Sequence, residues 1–171
     1  MTTNLGLLEK PSQDAAGNPL EDSREASEIS ARMFARASKA IANQSFSQLL
    51  GARLEVFEPG RAELSLPVTA KLLQQHGFVH GGVVAYMADN TLTLAGGTVL
   101  ENVVTGEMKI NYLRPATNAD SLLAIATVVG HGKTQAVCRC EVYIVKDGQR
   151  KLCAAAQGTI NKVLAPTAAV S

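Results

Sequence analysis

The stretch His80-Gly-Gly-Val-Val-Ala-Tyr-Met-Ala-Asp-Asn-Thr-Leu-Thr-Leu-Ala-Gly-Gly97 limits the folds open to this chain more than any other. It reads as one long apolar helix with a glycine pair at each end. Asp89 is the only carboxylate or cation between His80 and Glu101. Burying an isolated carboxylate costs several kcal/mol unless it is paired or hydrogen-bonded, so something specific has to hold this one. The segment is long enough to span a bilayer, but Asp89, Asn90, three threonines and four glycines suit lipid poorly. No second segment resembles a span. A helix buried in the centre of a protein is the better reading, with no membrane partner.

The flanking sequence says what surrounds it. Residues 1–22 carry Pro, Gly, Asn, Ser and Asp without periodicity and predict a mobile tail. From Ser23 the pattern turns helical, with Ile29, Met33, Phe34 and Ile41 as an apolar stripe through about Ala42. Asn43 or Ser45 would cap a short helix from Phe46 to Leu50, stopped by Gly51. Residues 52–58 and 61–68 alternate around Pro59-Gly60 and predict a hairpin. Residues 71–78 form an approach loop in which Gly77 marks a special backbone position.

Four strand-like segments follow the helix: 103–113, 121–129, 134–146 and 150–161, the last two joined by the turn signal Asp147-Gly148. In the first, simple alternation puts Thr105, Glu107, Lys109 and Asn111 on one face, with Met108, Ile110 and Tyr112 on the other. Strands on both sides of a single helix, without repeating βαβ units, predict an α+β protein whose antiparallel sheet wraps that helix. The expected organisation is one domain over residues 23–161, with tails at 1–22 and 162–171.

Composition narrows the function classes. At 171 residues, 46% of them hydrophobic, the chain can fill one aliphatic core. Sixteen basic residues against fifteen acidic, with no basic block, do not support a nucleic-acid partner. Cys138, Cys140 and Cys153 are too few and too closely alternated for a disulfide framework, and their spacing is unlike that of zinc ligands. They read as small buried apolar residues in a reducing compartment, and no metal site is expected. The N-terminus lacks a basic region followed by an apolar run, so the expected location is cytoplasmic.

The chemistry lies in the central stretch. Gly81 and Gly82 at a helix start would leave backbone N–H groups pointing outward with the helix dipole behind them, a site for a carbonyl oxygen or oxyanion. The same glycines could equally serve only close packing. Asp89 could act as a general base on water or as a nucleophile, or it could be a structural carboxylate holding a neighbouring loop. Asp89 lies nine residues after His80, about 13 Å at 1.5 Å per residue. One small reacting group cannot touch both features of one helix. If both act on one atom, a second, antiparallel copy of the helix must supply one of them, which predicts a two-fold dimer.

Gln75-His-Gly-Phe-Val-His-Gly-Gly82 with Asp89 after it, then Val104-Thr-Gly-Glu-Met-Lys-Ile-Asn-Tyr-Leu-Arg-Pro-Ala116 and Gly132-Lys-Thr134, resembles the hotdog-fold acyl-CoA thioesterases of the phenylacetate-degradation (PaaI-like) type. The resemblance runs from about Phe46 to Asn161. It implies an antiparallel sheet wrapped round one central helix, a homodimer or dimer of dimers, and hydrolysis of acyl-CoA without a cofactor. It implies Asp89 as the catalytic carboxylate, contributed from the opposite subunit, and the Gly81 N–H as donor to the thioester carbonyl. His80 would orient that loop, and Thr105 would be the hydroxyl residue beside the acid. Where the family often has Asn, this chain has Gln74, whose amide offers the same hydrogen bonds at longer reach. Gly82, Arg114 and Lys133 are the remaining candidates for holding substrate, the two cations for the nucleotide end of CoA. His76 and His131 have no assigned role.

Two other classes stay open on the sequence. One is a non-catalytic acyl-CoA sensor, for which residues 1–45 offer no DNA-binding segment. The other is a hydratase acting on enoyl-CoA, which would need an acid–base pair that His80 and Asp89 do not make within one helix.

Overall fold

The computed structural model describes residues 19–163. The elements run α1 (Pro19–Asn43), α2 (Ser45–Leu50), β1 (Arg53–Glu58), β2 (Arg61–Pro67), a single 3₁₀ turn (Ala70–Leu72), α3 (Gly81–Leu100), β3 (Val103–Tyr112), β4 (Ser121–His131), β5 (Gln135–Lys146) and β6 (Gln149–Lys162). The six strands form one antiparallel sheet in the order β1-β2-β4-β5-β6-β3. α3 leaves the β2 side and delivers the chain to β3 at the far edge, so it crosses beneath the intervening strands and packs on all of them. This is the hotdog arrangement: one long apolar helix inside a wrapped sheet.

Burial explains why the helix sits there. Met87, Ala88, Thr91, Leu92 and Ala95 are fully enclosed, as are Leu64, Leu66, Leu122 and Val142 on the strands that face them. Each large side chain removed from water in this way contributes about 1.5–3 kcal/mol. The one fully buried hydroxyl of α3, on Thr91, donates back to the Met87 carbonyl at 2.5 Å, which removes the cost of an orphan polar group. Two glycines set how closely helix and sheet approach. A Cβ on Gly96 would stand 2.7 Å from Ile160 Cγ2, and one on Gly158 would stand 2.7 Å from the Glu107 carbonyl oxygen and 3.3 Å from Leu92 Cδ1.

Most strand ends shift by a residue or two, and α2 starts at Ser45 with Gln44, not Asn43 or Ser45, as its N-cap; three boundaries carry more meaning. α1 begins at Pro19 rather than Ser23, so the last four residues assigned to the tail are helical; the rest of that tail, residues 1–18, lies outside the described residues, as do residues 164–171. β6 runs to Lys162, which pairs with Val103 and so belongs to the sheet rather than to the tail. α3 does not end at the Gly96-Gly97 pair but continues to Leu100, closing at Glu101 with φ 71° and its N–H on the Gly97 carbonyl at 3.0 Å. Gly96 is there for close packing on Ile160, not to stop the helix.

The ends of α3 are tied to the sheet. The β1–β2 turn donates its Gly60 N–H to Thr98 Oγ1 at 2.8 Å. Ahead of the helix, Val79 N–H donates to the Ala116 carbonyl and His80 N–H to the Leu72 carbonyl, at 2.9 and 2.8 Å. The segment after β3 is held in turn, because the Leu113 and Arg114 N–H groups both donate to the Cys153 carbonyl.

β3 departs from simple alternation. Thr105 stands opposite Ile160 and Glu107 opposite Thr159, which leaves Gly106 unpaired in a β-bulge. The extra residue reverses the parity. Thr105 therefore shares the inner, helix-facing side with Met108 and Ile110, and does not share the outer side with Glu107, Lys109 and Asn111 as alternation predicts. Thr159 Oγ1, donating to Glu107 Oε1 at 2.9 Å, marks that outer side.

Candidate active site

The glycine end of the site is built by a cap. His80, at φ −58° and ψ 134°, is the N-cap of α3, and its Nδ1 accepts the Gly82 N–H at 3.0 Å. An imidazole nitrogen thus replaces the Ser, Thr or Asp oxygen usual at this position. With Gly82 engaged, the neighbouring Gly81 N–H has no acceptor among the described residues. Tyr112, at the end of β3, fixes the same peptide from the other side by donating its hydroxyl to the Gly81 carbonyl at 3.1 Å. A free N–H at the positive end of a 20-residue helix, next to the Gly81–Gly82 peptide that is held from both sides and on a peptide whose own His80 carbonyl accepts the Val83 N–H, is a preorganised donor for a developing negative charge.

The carboxylate end is equally specific. Thr105 Oγ1 donates to Asp89 Oδ1 at 2.7 Å. Thr93, one turn further along α3, donates to the Asp89 carbonyl at 2.9 Å and lies 2.7 Å from the Thr105 hydroxyl. Two hydroxyl protons serve these three oxygen–oxygen contacts, so Thr93 gives its proton to one acceptor at a time while Thr105 serves the carboxylate. Asp89 is half-buried beside β3, one of the two edge strands of the sheet. On the next position of the helix, Asn90 donates to Gln44 Oε1 at 3.2 Å, and Tyr86 donates to Ser47 Oγ at 2.7 Å with its ring edge-on to Phe46. α2 is therefore pinned across α3 next to the acid. Burial pushes the Tyr86 phenol up, and its hydrogen bonds to Ser47 and Asn90 pull the other way.

A groove of about 550 Å³ opens at the glycine end, lined among others by Gln74, Phe78, Gly81, Gly82, Tyr112 and Arg114. A second of about 540 Å³ lies alongside, and Arg114 and Pro115 line both. The second is cationic: Arg114, Lys146, Arg150 and Lys151 line it against Asp147. Lys146 is occupied by Asp120 at 2.7 Å. This pairing, together with the Asp147 N–H, holds the Asp120 carboxyl below its usual range. Lys151 stands opposite Ile144 and so shares its inward-facing side of the hairpin.

Of the residues singled out from the sequence, the structure gathers Gly81, Gly82, Gln74 and Arg114 around one groove, with His80 as the cap beneath the glycines. It gathers Asp89 and Thr105 around another point. It does not bring the two groups together within one chain, as the helical spacing required. Gln74 is held by its backbone, its N–H on the Phe78 carbonyl and its carbonyl taking the Gly77 N–H, with Gly77 at φ 75°. Lys133 lies in the β4–β5 turn and lines neither groove. Sequence reasoning missed Tyr112, Thr93 and Lys151. Thr93 was visible as a hydroxyl one helical turn from Asp89; Tyr112 and Lys151 reach the site through long-range pairing that carries no local signal. No group of three or more His, Cys, Asp and Glu able to hold a metal ion occurs among the described residues.

A sheet of this order around a central helix, with a free glycine N–H at the helix start, defines a thioesterase-type hotdog protein. The comparisons agree. Residues 76–151 match the thioesterase superfamily. The acyl-coenzyme A thioesterase PaaI of Escherichia coli is 30% identical over 58% of this chain and 71% of its own length. The structure titled as the E. coli PaaI protein from the phenylacetic acid degradation operon superposes with a TM-score of 0.71 at 27% identity, over 78% of this chain and 95% of that one. A thioesterase family protein of Silicibacter pomeroyi gives 0.70 at 32% identity, over 77% and 96%. A 1,4-dihydroxy-2-naphthoyl-CoA hydrolase of Listeria monocytogenes is 28% identical over 62% of this chain and 86% of its own. The chain belongs to the thioesterase superfamily and is an enzyme of thioester hydrolysis. No helix among the described residues is long and apolar enough to cross a membrane.

Proposed function

We propose that this protein hydrolyses acyl-CoA thioesters in the cytoplasm, at sites shared between two copies of the chain. The observation that carries this reading is the pairing of a free, rigidly held Gly81 N–H with a hydroxyl-oriented Asp89 that the same helix keeps too far away to use. A second copy, added antiparallel along the open β3 edge, would set its Asp89 opposite the Gly81 of the first. The Gly81 N–H then takes the charge that develops on the thioester oxygen. Asp89 either removes a proton from the attacking water, or attacks the carbonyl itself to form an acyl anhydride that water then hydrolyses; in both cases the C–S bond breaks and CoA leaves as the thiolate. Gln74, on the wall of the groove beside Gly81, faces the arm of the substrate. Arg114 and Lys151, in the cationic groove alongside, whose wall Arg114 shares, suit the phosphates of the nucleotide; Lys133 suits them only if the second copy brings it near.

The test is Asp89→Asn assayed by thiol release across aromatic and aliphatic acyl-CoAs, with the fold checked by circular dichroism. We expect turnover to fall by about 10²–10⁴-fold, the usual worth of a positioned general base. Unchanged turnover would overturn the assignment, and tight acyl-CoA binding by the wild-type chain without any thiol release would favour a sensor instead. A dimer in solution by light scattering is the accompanying expectation.

A further inference from the structure

The bulge in β3 falls one residue from the hydroxyl that orients Asp89, and the register shows why that matters. Thr105 faces α3 because Gly106 is passed over in the pairing. Its opposite number, Ile160, is fully buried and lies against Gly96 of α3. Suppose the strand paired regularly upward from Glu107, which stands opposite Thr159. Residue 106 would then stand opposite Ile160, in the slot Thr105 now occupies, and Thr105 would turn to the outer face opposite Asn161. The Asp89 carboxylate would face a glycine and lose its hydroxyl donor. A residue larger than glycine at 106 would be crowded in the bulge. A Cβ there would run into the Asn161 side-chain amide and approach the Thr159 carbonyl oxygen to 3.2 Å. Asn161 is itself held, since its Oδ1 accepts from Gln135 Nε2 at 3.0 Å.

We propose that Gly106 is a positioning residue, whose bulge turns the Thr105 hydroxyl onto Asp89 and so sets the geometry of the carboxylate. The proposal rests on the reading in which Asp89 acts on the thioester. Bulges re-aim side chains by one face at the cost of one unpaired residue, and here the re-aimed side chain is the one that touches the acid. A side chain at 106 pushes the strand toward regular pairing, in which residue 106 itself takes the inner slot. Whether catalysis survives then depends on what that residue carries.

The test uses two near-isosteric pairs in the full-length chain: Gly106→Val with Gly106→Thr, and the smaller Gly106→Ala with Gly106→Ser. In each pair the two variants disturb the bulge alike, but only one brings a hydroxyl to the slot facing Asp89. We expect Val and Ala to lower kcat by tenfold to about 10²-fold, the scale of a misplaced catalytic group, with KM changed much less. Thr and Ser should recover most of that loss while melting within a degree or two of their partners. Equal kcat within both pairs, or wild-type kcat in the Val and Ala variants, would overturn the proposal. The Ala and Ser pair decides the matter if the β-branched variants fail to fold. Asp89→Asn is run alongside. If it is inactive while all four Gly106 variants turn over normally, only this inference fails; if it is fully active, the proposed function fails instead.

Discussion

The Thr105 hydroxyl donates to Asp89 Oδ1 at 2.7 Å across a sequence separation of 16 residues, joining the edge strand β3 to the middle of the central helix. A carboxylate in an apolar helix is thereby given a donor that fixes its orientation without a neutralising charge. This relationship organises the chemistry proposed for the protein.

Removing the donor should affect rate more than stability. Thr105→Val keeps the shape and deletes the hydroxyl, so kcat is expected to fall by about tenfold or more while KM holds. Thr105→Ser should retain most of the activity. Steady-state kinetics of the two variants at matched folded fraction checks this. A Val variant with wild-type kcat would remove Thr105 from the mechanism.

His80 is expected to act through the cap. His80→Ala frees the Gly82 N–H and exposes the first turn of α3, at a cost of about 1 kcal/mol. For a chain of this size that corresponds to a Tm lower by about 2–4 °C. His80→Asn, with an oxygen able to reach the same N–H, should restore most of the Tm, read by differential scanning calorimetry.

Gly158→Ala should be one of the costlier single-methyl substitutions. Its Cβ would stand 2.7 Å from a backbone oxygen, that of Glu107, which cannot move without disturbing the β3–β6 pairing. A loss of about 1–3 kcal/mol is expected from overpacking of this kind. Gly130→Ala, where the added carbon meets nothing within 4 Å, is the control and should stay within about 0.5 kcal/mol of wild type. Urea denaturation of both separates the cases.

The three thiols give a pH dependence with a definite sign. Burial pushes Cys138 and Cys153 up to about 11 and Cys140 up to about 12, from an ordinary value of 9.0. Between 9 and 11 the unfolded chain gives up these protons while the folded chain keeps them. The unfolded state therefore binds fewer protons there, and stability falls as pH rises through that range. At pH 8 the folded protein should leave all three cysteines unreactive toward a disulfide reagent, and denaturant should release three equivalents. Prompt labelling of the native protein would contradict their burial.

The elements themselves were largely legible in the sequence because their signals are local. The glycine pair and apolar run mark α3, Pro59-Gly60 and Asp147-Gly148 mark turns, and alternation marks β5 with Cys138 and Cys140 on its buried side. The impossibility of joining Gly81 to Asp89 within one helix also followed from the rise per residue. Besides the alternation that put Thr105 on the outer face, two local signals at helix ends misled. Gly96-Gly97 resembles a stop but meets Ile160, and Ser23 resembles a start though α1 begins at Pro19.

The sequence by itself determined that one carboxylate would sit in a buried helix begun by glycines, since side-chain periodicity and backbone propensity act over a few residues. Only the tertiary structure decided which groups meet it. Whether Thr105 faces inward depends on its pairing with Ile160, and on Gly106 being passed over in the register with β6. Tyr112 reaches Gly81 across a separation of 31 residues because β3 runs back along the helix. Those contacts are set by strand order and register, which long-range packing selects and local sequence does not encode.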